Sequence, residues 1–156
     1  ELTKLVDKIA AAEKLAVDAK AKKALVEVSE GDCRKLENVL QSCAVMSNTI
    51  TEELIYSAAG VATPKEVKEV ITLAFSNNFQ KARDKLLETM LAHGLSGLDV
   101  IKQLQKEVLE SDIELKKKLL LIEKCGEIEF RMSEGADEFV QLEALLSQIA
   151  LAGLQA

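Results

Sequence analysis

Large rings, prolines and histidines are scarce in this sequence. Aromatics make up 3% of the 156 residues, tryptophan is absent, and Pro64 and His93 are each the sole residue of their type. A core without large rings has to be assembled from Leu, Ile, Val and Ala, which favours helix packing over a sheet. One histidine leaves little material for a histidine-rich metal site or an internal Ser/His/Asp triad. Cys33, Cys43 and Cys125 are odd in number and show no CxxC or Cys/His spacing, the pattern of reduced thiols in a cytosolic protein. No apolar run approaches the ~20 residues of a membrane span, and neither GxxxxGK[ST] nor GxGxxG occurs, so both of those phosphate-cradling loops are missing.

What is present is a globular composition, 48% hydrophobic and 29% charged. The net charge of −6 divides into about −2 over residues 1–60 and −4 over 61–156. Neither part is a basic nucleic-acid-binding body, although a local patch remains open. The chain opens as "ELTKLVDKIAAA", already in helical periodicity and without an initiator Met. It reads as a piece of something longer.

Apolar residues recur at helical spacing from end to end. Leu2, Leu5, Val6, Ile9, Ala12 and Ala16 predict a first helix over about 3–16. Asp18 caps a second, Asp32 starts a third, and "TEEL" at 51–54 opens a short fourth that ends at Gly60. Pro64 then suits a first helical position, with Thr63 and Glu66 forming a T-x-x-E capping box. This is the best domain boundary, dividing residues 1–60 from 61–156. Five further helices are predicted over about 64–76, 79–92, 96–110, 113–133 and 137–152. Asn77 and Asn78 separate the first two, and Ser96 and Asp99 stand at capping-box spacing before the third. No segment alternates β-branched residues, so the expected fold class is all-α without a sheet.

The last two helices carry more apolar surface than one face requires. "LLLI" at 119–122 is apolar around a full turn. Phe139, Leu142, Leu145 and Ile149 form one stripe, and Val140, Ala144 and Leu151 form a second. A helix apolar on two sides is central in its own bundle or shared with a neighbouring subunit. Periodicity leaves both open.

Two turns of similar sequence differ in charge. "SEGDCRK" (29–35) places Arg34 and Lys35 in the first turn of a helix, where the backbone dipole is already positive and a cation costs about 0.3–1 kcal/mol. "SEGADEF" (133–139) places Glu138 there, the sign a helix N-terminus prefers. Arg34 and Lys35 are either solvated charges or part of an anion site, in which backbone N–H groups and a forked guanidinium converge on a phosphate. His93, beside Gly94 at a helix end, suits a capping role, and the lysines at 116–118 read as a solvated face. No residues stand out as catalytic.

"VSEGDCRKLENVLQS" (28–42) resembles the sensor-2 segment in the lid of clamp-loader ATPases, where a GD-x-R turn starts a lid helix. Residues 62–108, "ATPKEVKEVITLAFSNNFQKARDKLLETMLAHGLSGLDVIKQLQKEV", resemble the collar of archaeal replication factor C small subunits, as does "GEIEFRMSEGADEFVQLEALL" (126–146). The segments occur in family order over nearly the whole chain.

The resemblance implies a lid at 1–60 and a five-helix collar at 61–156. Arg34 is then the nucleotide-binding residue, and Phe139, Leu142, Leu145 and Ile149 belong to the subunit interface. ATP and Mg²⁺ are implied for a full-length parent, with its ATPase core upstream, but no cofactor, metal or catalysis for this part. Implied partners are other clamp-loader subunits, small and large, and through the complex a sliding clamp and primer–template DNA; no membrane is implied. One departure concerns Glu37, three residues after Arg34, which can either hold its guanidinium away from a phosphate or pre-orient it. A self-contained helical scaffold or adaptor without nucleotide linkage is the rival reading.

Overall fold

Most helix starts in this computed structural model, which describes residues 2–154, are set by short polar side chains. Asp18 Oδ1 accepts from the Ala21 N–H at 2.7 Å, and Thr51 Oγ1 accepts from Leu54 N–H at 3.2 Å. Each supplies an acceptor for a first-turn N–H group that has none within its own helix. The first four helices are α1 (Leu2–Glu13), α2 (Ala19–Ser29), α3 (Cys33–Met46) and α4 (Glu52–Ala59). After Pro64 follow α5 (Pro64–Phe75), α6 (Phe79–His93), α7 (Gly97–Glu110), α8 (Leu115–Ser133) and α9 (Glu138–Leu154). Both capping boxes form: Thr63 with Glu66 ahead of α5, and Ser96 with Asp99 ahead of α7. The fold is all-α in class.

One local expectation, the absence of any strand pairing, needs correction, and two turns take a form of their own. Ala16–Val17 (β1) and Thr49–Ile50 (β2) pair in parallel, Ala16 opposite Thr49 and Val17 opposite Ile50. Strands of two residues are too short for alternation to register in a sequence, yet this pairing ties the α1–α2 connection to the α3–α4 connection and buries Ile50. The reversal before α3 takes two left-handed residues, Glu30 at φ 51° and Gly31 at φ 91°. Asn78 precedes α6 without a side-chain cap bond, and Asn77, at φ 57°, makes the turn.

The chain divides into two compact units, Glu1–Val61 and Ala62–Ala156. The division falls one residue later than expected because Val61 packs on the first core and Ala62 belongs to the second. In unit 1, α2 packs on α1, α3 and α4 through Ala21, Leu25, Val28, Leu36, Leu40 and Ile55. Tyr56 is also buried, and its hydroxyl donates to Glu27 Oε2 at 3.1 Å.

In unit 2, α9 packs on α5, α6, α7 and α8. Leu142, Leu145, Leu146 and Ile149 are at most 1% exposed. The stripe assigned to a subunit interface therefore closes inside the unit, and of its four members only Phe139 reaches solvent. Periodicity could not choose between these outcomes, since both need an apolar stripe. Two glycines permit the close packing. A Cβ on Gly97 would lie 2.6 Å from Glu138 Cβ, and one on Gly153 would lie 1.8 Å from the Phe75 carbonyl oxygen.

Leu145→Ala should cost unit 2 about 2–5 kcal/mol, the range for a large-to-small core change. Val140→Ala, on the outward side of the same helix, should fall within about 0.5 kcal/mol of wild type. Chemical denaturation of the two variants measures the difference directly.

Candidate functional sites

Asp32 governs the turn that carries Arg34. Its Oδ1 accepts from the backbone N–H groups of Arg34 at 2.8 Å and Lys35 at 3.2 Å. The donors that an anion site at this helix start would use are thus occupied by a carboxylate of the chain itself. That narrows the expected arrangement: an incoming phosphate would meet the Arg34 guanidinium rather than these backbone groups. Lys35 Nζ lies 3.8 Å from Glu30 Oε2, a loose surface pair. Arg34 is exposed, and no ion pair joins it to Glu37 among the described residues. Cys33, beside it, is exposed as a free thiol, whereas Cys43 and Cys125 are buried. Burial pushes the Cys43 thiol up and that of Cys125 to about 11, so both are poor nucleophiles.

The matching turn before α9 works differently. Gly135 alone takes positive φ, at 95°, and Asp137 Oδ1 accepts from the Val140 N–H at 2.9 Å. Glu138 reaches across to α7, where its Oε2 accepts from the Gly97 N–H at 2.5 Å. One carboxylate therefore sits against two helix N-termini, its own and that of α7, a placement favoured by both dipoles. This explains why Gly97 has no side chain, a constraint invisible in either local sequence.

His93 occupies the last turn of α6 beside Gly94, as expected, and also makes a contact the sequence did not suggest. Its Nε2 lies 3.2 Å from Glu66 Oε1 and 3.0 Å from Glu66 Oε2. Glu66 also accepts from the Thr63 N–H and hydroxyl, both at 2.8 Å. Burial alone would push the Glu66 carboxyl up; the two Thr63 donors and His93 outweigh it and hold the carboxyl below its ordinary value. The capping box was legible at Thr63 and Glu66, but His93 is 27 residues away and nothing local marks it as the partner. Arg83 and Glu143 make another long-range link, from α6 to α9, at 2.5 Å.

A small hollow in unit 2, lined in part by Val67, Leu86, Thr89, Leu95, Gln103 and Leu104, contains no titratable group. Among the described residues, no group of three or more His, Cys, Asp or Glu could hold a metal ion, and no helix is long and apolar enough to cross a membrane. The unusual surface is instead apolar. Val140 (61% exposed), Leu151 and Leu154 face outward on α9, with Phe139 at its start, and Leu115, Leu119, Leu120 and Phe130 do so on α8. Exposed apolar side chains also occur at Val45, Met46, Leu91 and Leu109, but most of those described lie on these two helices.

A family model described as the replication factor C C-terminal domain matches residues 62–148. The replication factor C small subunit of Sulfurisphaera tokodaii is 44% identical over 147 residues, covering 93% of this chain and 45% of that protein. That of Staphylothermus marinus is 42% identical over 147 residues, 93% of this chain and 44% of the relative. The Pyrococcus furiosus small subunit is 43% identical over 153 residues, 98% of this chain and 18% of the relative. These similarities extend beyond unit 2 into unit 1, and the chain spans less than half the length of these relatives.

The Glu66 contacts predict a stability that depends on pH. Its folded-state pKa lies below the ordinary 4.5, so its contribution is complete above that value and is lost as pH falls through the lowered one. Glu66→Gln should lower stability at neutral pH and flatten the acid limb of the stability curve below pH 4.5. Urea midpoints across an acid series would check both.

Proposed function

This chain belongs to the replication factor C C-terminal domain family, and on that premise we propose that it is the lid and collar of a clamp-loader small subunit. Residues 1–61 act as the lid and 62–156 as the collar. The observation carrying this reading is the family match over 62–148, together with similarity to replication factor C small subunits that continues into unit 1. In the whole protein, ATP with Mg²⁺ supplies the free energy, and the assembled complex helps place a sliding clamp on primer–template DNA. This part contributes no catalysis. It joins the subunit to its neighbours in the ring and links nucleotide state to lid position.

Each role falls to residues suited to it. The Arg34 guanidinium is exposed at the start of α3, and its planar fork can hold a phosphate in two places at once, which a lysine cannot do. The nearby α3 dipole raises the cost of leaving the cation unpaired, so an arriving phosphate relieves a charge conflict as well as forming hydrogen bonds. Subunit joining uses the outward residues of α9, namely Phe139, Val140, Leu151 and Leu154, because Leu142, Leu145 and Ile149 are committed to the core.

In the full-length protein, Arg34→Ala should weaken ATP binding about 10- to 100-fold, the scale of one or two hydrogen bonds to a charged group. Arg34→Lys should recover only part of this. Val140→Glu with Leu151→Glu should abolish subunit assembly while leaving the melting temperature of the chain within a few degrees. Unchanged nucleotide affinity in the arginine variants would overturn the sensing role, and intact assembly in the glutamate variant would overturn the α9 contact. ATP turnover by the purified 156-residue chain would contradict the absence of catalysis.

A further inference from the structure

Thr89 differs from the other hydroxyl residues set within helices. Ser42, Thr72 and Ser147 each donate to the carbonyl four residues earlier, at 2.8–2.9 Å, a usual way for a helical Ser or Thr to be satisfied. Thr89, on α6, is 4% exposed and makes no such bond. Among the described residues, Thr89 Oγ1, Gln103 Oε1 and Gln141 Oε1 are buried side-chain atoms without a hydrogen-bond partner. Buried polar atoms are nearly always paired, either with protein or with ordered water. Thr89 and Gln103 also border the same hollow.

That hollow lies inside unit 2, where α6 and α7 both pack on α5. Val67 and Val70 of α5, Leu86 of α6 and Leu104 of α7 supply most of its apolar wall. Thr89 reaches it from α6 and Gln103 from α7. Its volume is about 10 Å³, room for one water molecule and for nothing larger. An entirely apolar cavity of that size would stay dry. This one is bordered by a hydroxyl, which donates and accepts, and by an amide oxygen, which only accepts. One water satisfies both. Leaving two oxygens unpaired away from solvent costs more than immobilising that single molecule.

We propose that the hollow is a binding site for one structural water, which accepts from the Thr89 hydroxyl and donates to Gln103 Oε1. The bridge is a polar link between α6 and α7. Leu95, in the connection between these two helices, borders the same hollow, so the link sits close to the turn that joins them. Apolar packing of both helices on α5 is non-directional; the bridge adds a directional bond that fixes one against the other. The inference concerns unit 2 alone and does not rest on the proposed function.

Oxygen-17 magnetic relaxation dispersion, which counts waters held far longer than those at the surface, tests this on the 156-residue chain. Thr89→Val keeps the shape of the side chain and removes the hydroxyl, and Gln103→Met does the same for the amide. The double variant should hold one long-lived water fewer than wild type, with the circular dichroism spectrum unchanged. Thr89→Ser, which keeps the hydroxyl, should hold the same number as wild type. Urea unfolding gives a second readout, whose sign depends on the water. With the water bound, each single variant strips it of one partner and lowers the midpoint by about 0.5 M. The double variant then loses less than the sum, because the bridge is removed whole. In a dry hollow, Thr89→Val would instead remove an unpaired buried hydroxyl and raise the midpoint. An unchanged count of long-lived waters in the double variant, a raised midpoint in Thr89→Val, or strictly additive midpoint losses would each overturn the proposal.

Discussion

Unit 2 depends on the burial of α9. Four helices pack against it, and Leu142, Leu145, Leu146 and Ile149 are almost completely withdrawn from water. At about 1.5–3 kcal/mol for each large apolar side chain, these residues are a principal source of the unit's stability. The constraint reaches beyond the core. Because α9 must lie close to α5 and α7, the chain has glycine at 153 and 97, where a Cβ would strike Phe75 or Glu138. Because its first turn meets that of α7, Glu138 can serve two helix N-termini.

Burial of one side of α9 leaves its other side in water. A helix with a second apolar side is surplus to its own bundle, and so is α8. Val140 and Leu151 on one helix, and Leu115, Leu119 and Phe130 on the other, remain in solvent after the core is complete. Hydrophobic surface of this extent has little to do with folding the single chain.

The polar side chains are used chiefly at helix ends. Asp18, Asp32, Thr51, Thr63, Ser96 and Asp137 each accept from first-turn backbone N–H groups. Arg34 breaks the electrostatic pattern, since it adds positive charge where the backbone is already positive. Asp32 offsets part of that cost locally and occupies the backbone donors, leaving the guanidinium as the group able to receive an anion from outside. Under the proposed function, the phosphate would therefore be met by the Arg34 side chain rather than by the helix terminus.

The approximate positions of the helices and most of their caps could be read from the sequence alone. These features rest on contacts within about four residues, and periodicity and capping chemistry record such contacts directly. Thr63–Glu66 and Ser96–Asp99 were legible for that reason, as was the αL turn at Gly60. Tertiary structure decided everything requiring two distant segments: the β1–β2 pairing, the Glu66–His93 and Glu138–Gly97 contacts, and which stripe of α9 is the inner one. An apolar stripe has the same spacing whether it meets its own core or another chain. Only packing could assign Leu142, Leu145 and Ile149 to the interior and leave Val140 and Leu151 in water.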